Sequence, residues 1–331
     1  MEKIFIYPTF DSKRDKSGNR YIQLFREAFE KCPKCTVLNR FPRSETLGLL
    51  LNSDADVFVL HWVDLIPSKP LGRLQEAFFR AGVKLAHIRG KKIVWVLHNK
   101  AAHNDHSDRP VRMMDFISKY ADAVLTHSEE GVRFYRANFP GSRAECIYIP
   151  HPAYTQECFA DEGEIKYDYI IWGNISPRKN VLEFVRFAAA NDFFKSKKVL
   201  LCGHCPDSGY DKAIREALPA SIEYHNRFFS DRQLRELISS ARAILFTYEG
   251  KTVLSSGALI YSLNFAKPII GPRVGSFADL KDIVACYDNF ADIPSLTMPS
   301  GQAAMKYVKE NSWSNFPEKF IRTFNSPNER Q

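Results

Sequence analysis

Short apolar runs, separated by helical apolar spacing and polar turns, recur along the whole chain. In the first half the runs at 3–7 (KIFIY), 56–61 (DVFVLH), 92–97 (KIVWVL), 121–126 (ADAVLT) and 146–149 predict strands. Residues 21–31 space Ile22, Phe25 and Phe29 along one helical face, 70–89 predict a long helix, and 8–20 read as a polar loop. The second half repeats the grammar, with strands at 167–172, 198–202, 222–224, 243–246 and 269–270 and helices at 181–190, 210–218, 230–240 and 257–264. Ser230 and Gln233 stand at capping-box spacing, and Pro268 stops the last of these helices. Strands that are apolar throughout and alternate with helices predict parallel sheets covered on both faces. A polar stretch with Asp161, Glu162, Gly163 and Glu164 separates the halves. The expected architecture is therefore α/β, two open domains with a cleft between them.

Length agrees with that expectation, since 331 residues exceed one hydrophobic core and suggest domains of about 150 residues. The share of hydrophobic residues is 45% and of charged residues 25%, as in a folded globular protein. No apolar run approaches the roughly 20 residues that span a bilayer. The opening MEKIFIYPTF goes straight into a strand and lacks the apolar core of a signal peptide, so a cytosolic protein is expected. Seven cysteines, an odd number, read as reduced thiols. Cys32/Cys35 and Cys202/Cys205 are CxxC pairs in different halves, so no shared zinc site is expected and Cys202 reads as a strand-end core residue. A net charge of +8 points to an anionic partner. Without a helix-turn-helix, RNA-recognition or zinc-finger pattern, nucleic acid is not expected, which leaves nucleotide and anionic lipid.

The densest signal is 247–272, TYEGKTVLSSGALIYSLNFAKPIIGP, where a strand leads through small residues into a helix that starts at Gly257. Free amides of a first helical turn attract anions, so Ser255, Ser256 and Gly257 form a candidate phosphate site. A plain N-cap serine is the alternative. Ligands of open parallel sheets bind beyond the carboxyl ends of the strands. That rule selects the loop around Gly18, Asn19 and Arg20, the turn from His61 to Asp64, the loop from His98 to Asp108, and His127 with Ser128. The loop after His98 carries His103, Asn104, Asp105, His106 and Asp108; a functional cluster and a solvated loop are both open readings. Its histidine spacing fits no metal motif, and no metal is expected. In the helix 70–89 and its flanks Lys69, Arg73, Arg80, Lys84, Arg89, Lys91 and Lys92 face the single acid Glu76, with Leu71, Leu74, Phe78, Leu85 and Ile88 as an apolar stripe. The pattern suits peripheral contact with an anionic membrane as well as an ordinary solvated helix.

With these motifs in place the chain resembles the GT-B glycosyltransferases, most of all the family 4 type. The segment 173–180, GNISPRKN, resembles the turn whose basic pair contacts the donor diphosphate, which implies that role for Arg178 and Lys179. The segment 224–229, YHNRFF, resembles the loop that packs on the nucleoside base, which implies Arg227 and Phe228. Glu249 resembles the first glutamate of the Glu-x7-Glu region, at the transferred sugar. Eight residues further stands Gly257, so the second glutamate, which holds the ribose in that family, is missing. Residues 268–270 resemble the family's PVI strand, His98 its sugar-contacting histidine, and Ser312-Trp313 the start of its closing helix.

The resemblance implies two Rossmann-like domains. These are 1–155 on the acceptor side, a hinge at 156–166, 167–305 for the nucleotide sugar, and 306–331 as a closing helix returning to the first domain. It implies a cytoplasmic glycosyltransferase, peripheral on the inner membrane face, that moves a sugar from a nucleoside-diphosphate sugar to a glycan or lipid-linked acceptor in bacterial surface polysaccharide synthesis. The nucleotide sugar is then a substrate, and no cofactor is expected. Departure of the diphosphate calls for positive charge, which Arg178, Lys179 and the amides near Gly257 supply without a metal. His98 and Glu249 are candidates to position the sugar, and retention is compatible with the departing phosphate taking the acceptor proton. Under inversion Asp105, His103 or Asp64 would be the base. A nucleotide-sugar epimerase and a catalytically silent sugar-nucleotide or glycan-binding subunit are the alternatives.

Overall fold

The structure, a computed structural model, describes residues 2–9, 20–41, 43–100, 107–154, 158–159, 164–250 and 253–325. The chain divides into two compact units: residues up to Pro152 together with those from Asn311 onward, and Ala153–Glu310.

The first unit runs β1 (Glu2–Tyr7), α1 (Tyr21–Glu30), β2 (Cys35–Val37), α2 (Gly48–Leu51), β3 (Val57–His61), α3 (Gly72–Ile88), β4 (Lys92–Leu97), α4 (Arg109–Ser118), β5 (Ala123–Thr126), α5 (Glu129–Asn138) and β6 (Glu145–Tyr148). Its six strands pair in the order β2-β1-β3-β4-β5-β6, every pair parallel. Val57–His61 is buried at every position, as expected of a parallel strand covered on both faces. Short β2 at the sheet edge and helices α4 and α5 were not anticipated from the sequence. The helix expected over 70–89 starts two residues late, because Leu71 is left-handed at φ 55°. Its buried face is Phe79, Gly82, Val83 and Ala86, not the leucine stripe. Gly82 explains the choice, since a Cβ there would lie 2.5 Å from Leu49 Cβ on α2.

The second unit runs β7 (Tyr167–Trp172), α6 (Val181–Ala190), α7 (Asp192–Lys195), β8 (Val199–Gly203), α8 (Ser208–Ala217), β9 (Ile222–Asn226), α9 (Asp231–Ser239), β10 (Ala241–Leu245), α10 (Gly257–Ser262), β11 (Ile269–Pro272), α11 (Gly275–Asp279), β12 (Val284–Tyr287) and α12 (Gly301–Glu310). These strands pair in parallel in the order β12-β11-β10-β7-β8-β9. The expected capping box is present: Ser230 Oγ accepts from the Gln233 amide at 3.3 Å, and the Gln233 side chain accepts from the Ser230 amide at 3.1 Å. Tyr248 to Ser256, expected as a polar turn, instead buries Tyr248, Val253, Leu254 and Ser256.

After Asn311 the chain belongs to the first unit, where α13 (Phe316–Asn325) packs on α1. Phe25 stacks on Phe29 at 4.7 Å and meets Phe316 at 5.4 Å and Phe320 at 6.1 Å edge-on. Replacing Phe25 with alanine should cost about 3–5 kcal/mol of stability and loosen α13. Urea unfolding and limited proteolysis check both effects; an unchanged midpoint would mean that α13 does not depend on this ring.

Candidate functional site

Parallel strands gather their carboxyl ends on one edge, and a ligand crevice opens where neighbouring connections leave in opposite senses. In the first sheet that switch point lies between β1 and β3. Tyr21, the first residue of α1, sits there with a histidine from the carboxyl end of each of β3, β4, β5 and β6. His61 ends β3, while His98, His127 and His151 follow β4, β5 and β6. The Tyr21 ring lies 5.0 to 5.7 Å from all four imidazoles and 5.3 Å from Trp313. Hydrogen bonds fix the tautomers. His127 Nδ1 donates to the Ile149 carbonyl at 2.7 Å, so its Nε2 accepts the Tyr21 hydroxyl at 2.7 Å. His151 Nδ1 donates to the Pro152 carbonyl at 2.9 Å. His61 Nδ1 and His98 Nε2 share one proton across 3.0 Å, and Trp62 stacks on His98 at 4.7 Å. Trp62 itself is left-handed at φ 46°.

Such a cluster holds neutral imidazoles. Burial is the leading cause for each, drawing His61 and His98 well below the usual histidine value, His127 to about 4 and His151 to about 3. Two residues beyond Trp62, buried Asp64 accepts from Asn99 Nδ2 at 3.4 Å, and burial lifts its carboxyl to about 6.

The second sheet has its switch point between β7 and β10. After β7 a short 3-10 turn, Pro177–Lys179, ends at left-handed Asn180 (φ 55°), where the chain turns into α6. Lys179 is buried, Arg178 exposed. The Lys179 ammonium lies 3.5 Å from the Trp172 carbonyl and 5.2 Å from the Tyr248 ring centre. Among the described residues no carboxylate pairs with it. Two glycines make the room. Gly173 (φ 101°) would bring a Cβ to 2.8 Å from Lys179 Nζ, and one at Gly203 (φ 149°) would strike the Gly173 carbonyl oxygen at 1.9 Å. Burial alone would raise the Tyr248 phenol, but the Lys179 charge, the Ser256 hydroxyl and Arg178 leave it below its ordinary value. Thr247 Oγ1 donates to the Lys179 carbonyl at 2.6 Å, and the Glu249 amide to the Arg178 carbonyl at 3.0 Å. The turns after β7 and β10 are thus tied into one rim.

Ser256 caps α10, accepting from the Leu259 amide at 3.2 Å, and its hydroxyl is also 3.2 Å from Tyr248 Oη. Ser255 is half-buried beside it. A Cβ on Gly257 would lie 2.6 Å from Tyr154 Oη, so a side chain fits there only if Tyr154 moves. On the other side of the rim Arg227 lies over Phe229 at 4.4 Å. Phe228, 74% exposed, packs on His204 at 4.1 Å. The sequence placed Arg178, Lys179, Glu249, Ser255, Ser256 and Gly257 on this rim and His98 in the first unit. Asp105, with His103 and His106, lies outside the described residues. Sequence reasoning gave no role to Tyr21, His151, Tyr154 or Tyr248, although a histidine after each of four successive strands was a readable signal.

No family model and no curated protein matches the chain. Solved structures do. The glycosyltransferase AviGT4 of avilamycin A biosynthesis is 16% identical with a TM-score of 0.63, over 98% of this chain and 97% of that one. HepE of Anabaena, solved with UDP, is 11% identical at a TM-score of 0.63, over 98% and 100%. The lipopolysaccharide outer core galactosyltransferase WaaB is 13% identical at 0.61, also over 98% and 100%. The chain therefore has the GT-B fold that these structures share.

The buried histidines make stability depend on pH. An unfolded histidine titrates near about 6.5, above the folded values, so the unfolded chain gains protons that the folded one refuses. The stability present above pH ~6.5 is lost as pH falls toward about 4, at roughly 1.4 kcal/mol per pH unit for each such histidine. Asp64 works the other way, holding a proton in the folded state between about 4 and 6, and offsets one of them. Calorimetry across this range should show a falling melting temperature, with a shallower slope in His127→Gln and His151→Gln. A flat profile would mean that these imidazoles are solvated.

Proposed function

We propose that the chain is a glycosyltransferase that moves a sugar from a nucleoside-diphosphate sugar to a glycan or lipid-linked acceptor. The observation that carries the reading is the buried Lys179 ammonium, which has no carboxylate partner among the described residues, at the switch point of a sheet in the GT-B fold. A buried cation is costly unless an anion meets it. A diphosphate is such an anion, and its charge grows as the bond to the sugar breaks. Arg178 at the mouth adds to the attraction, and the pair serves without a metal ion. UDP bound to HepE supports a nucleotide donor, and the name of WaaB supports a bacterial surface glycan as acceptor.

In the transfer the bond from sugar C1 to the diphosphate oxygen breaks, and its electron pair stays on the phosphate. The acceptor oxygen then bonds to C1 and gives up its proton. His98, neutral and weakly basic, suits a hydrogen-bonding role toward a sugar hydroxyl, and Glu249 of the second unit is the candidate for a contact with the transferred sugar. The departing phosphate takes the proton, which gives retention. A second reading rests on Asp64, whose carboxyl near 6 is a competent base; proton transfer to it gives inversion. The anomeric configuration of the product, read by NMR, separates the two. For the ribose, which has no glutamate at 257, we place the contact with the Tyr154 hydroxyl.

Lys179→Ala should weaken nucleoside-diphosphate binding by about 1.5–3 kcal/mol, with Arg178→Ala smaller. Calorimetric titration without added metal measures this, and equal affinity for wild type and Lys179→Ala would remove the lysine from the site. Tyr154→Phe should cost about 0.5–1.5 kcal/mol toward a ribonucleotide and nothing toward inorganic pyrophosphate. Equal losses for both ligands would deny the ribose contact.

A further inference from the structure

Two of the four imidazoles in the first unit take their tautomer from a main-chain carbonyl, and the other two take theirs from each other. Either His61 Nδ1–H donates to His98 Nε2, or His98 Nε2–H donates to His61 Nδ1, across 3.0 Å. The choice sets what each ring presents at its remaining nitrogen, a donor or an acceptor. His61 is fully buried, and its Nε2 has no hydrogen-bond partner among the described residues. His98 is half-buried. Both arrangements therefore leave an orphan at His61 Nε2, a bare lone pair in the first and an N–H in the second.

The aromatic surroundings of His61 decide between them. Phe25 stands at 81° to its ring with centroids 4.7 Å apart, and Tyr21 at 68° and 5.6 Å. Aromatic faces carry negative charge density, which attracts an N–H and repels a lone pair. We infer that His61 is the Nε2–H tautomer, that it accepts the His98 Nε2–H at its Nδ1, and that it thereby holds His98 Nδ1 as a bare acceptor. His61 is then a positioning residue: sealed from solvent, it decides what His98 can bind. This rests on the role proposed above for His98 toward a sugar hydroxyl, and it gives that role a direction. The sugar group opposite His98 must donate, as a hydroxyl does, and a fluorine or a hydrogen in its place leaves Nδ1 unpaired.

Long-range proton–nitrogen NMR correlation tests it on the full chain, labelled with heavy nitrogen at histidine only, at mildly alkaline pH and without nucleotide. Each ring nitrogen is read as protonated or bare, and the His98 signals are assigned by their loss in His98→Gln. Wild type should show His98 Nε2 protonated and Nδ1 bare, in excess over the opposite tautomer by at least about threefold. His61→Leu should move both His98 nitrogens toward averaged shifts, as the ring exchanges between tautomers. His61→Asn, whose amide oxygen can accept from Nε2–H, should restore the wild-type pattern. A protonated His98 Nδ1 in the wild type would overturn the inference without any variant, so it stays testable even where a His61 variant does not fold. A His98 pattern that His61→Leu leaves unchanged would deny the positioning role. None of these readings uses a nucleotide; failure of UDP to bind in a calorimetric titration would count against the donor site and not against the tautomer.

Discussion

Parallel pairing is the constraint on which the rest depends. Because every strand in each sheet runs the same way, every connection that follows a strand leaves from one edge, and side chains far apart in sequence arrive there together. Tyr21 and His151 meet in the first unit for this reason alone, and Lys179 meets Tyr248 in the second by the same rule. The four histidines and Tyr248 stand within three positions of a strand end and Lys179 seven beyond β7, whereas Tyr21 opens α1 fourteen residues after β1.

The two edges differ in electrical character. The first gathers uncharged imidazoles, a phenol and two indoles around one another, a lining able to donate and accept hydrogen bonds with hydroxyls. The second concentrates positive charge, one cation sunk beneath the rim and another at its surface.

Most of the fold was legible because burial on both faces writes a strand such as KIVWVL as an unbroken apolar run, and because Ser230 and Gln233 announce their helix directly. The short edge strand Cys35–Val37 left too little pattern to read, and α5 shows few apolar residues. Site residues were legible by position more than by environment. Lys179 could be placed after β7 by counting, but its burial depends on the space at Gly173, which periodicity does not report. The same holds for Leu71, Leu74 and Ile88. Their spacing looks like a core stripe, and only the close approach at Gly82 shows that the other face of α3 was buried instead.

The contact between Tyr154 and Gly257 bears on how this chain can change. With a hydroxyl 2.6 Å from where a Cβ would begin, a larger residue at position 257 requires the Tyr154 side chain to swing aside. The two positions are therefore coupled: a glutamate at 257 is accommodated together with a displaced or smaller side chain at 154, so the choice made at one position sets what the other can hold.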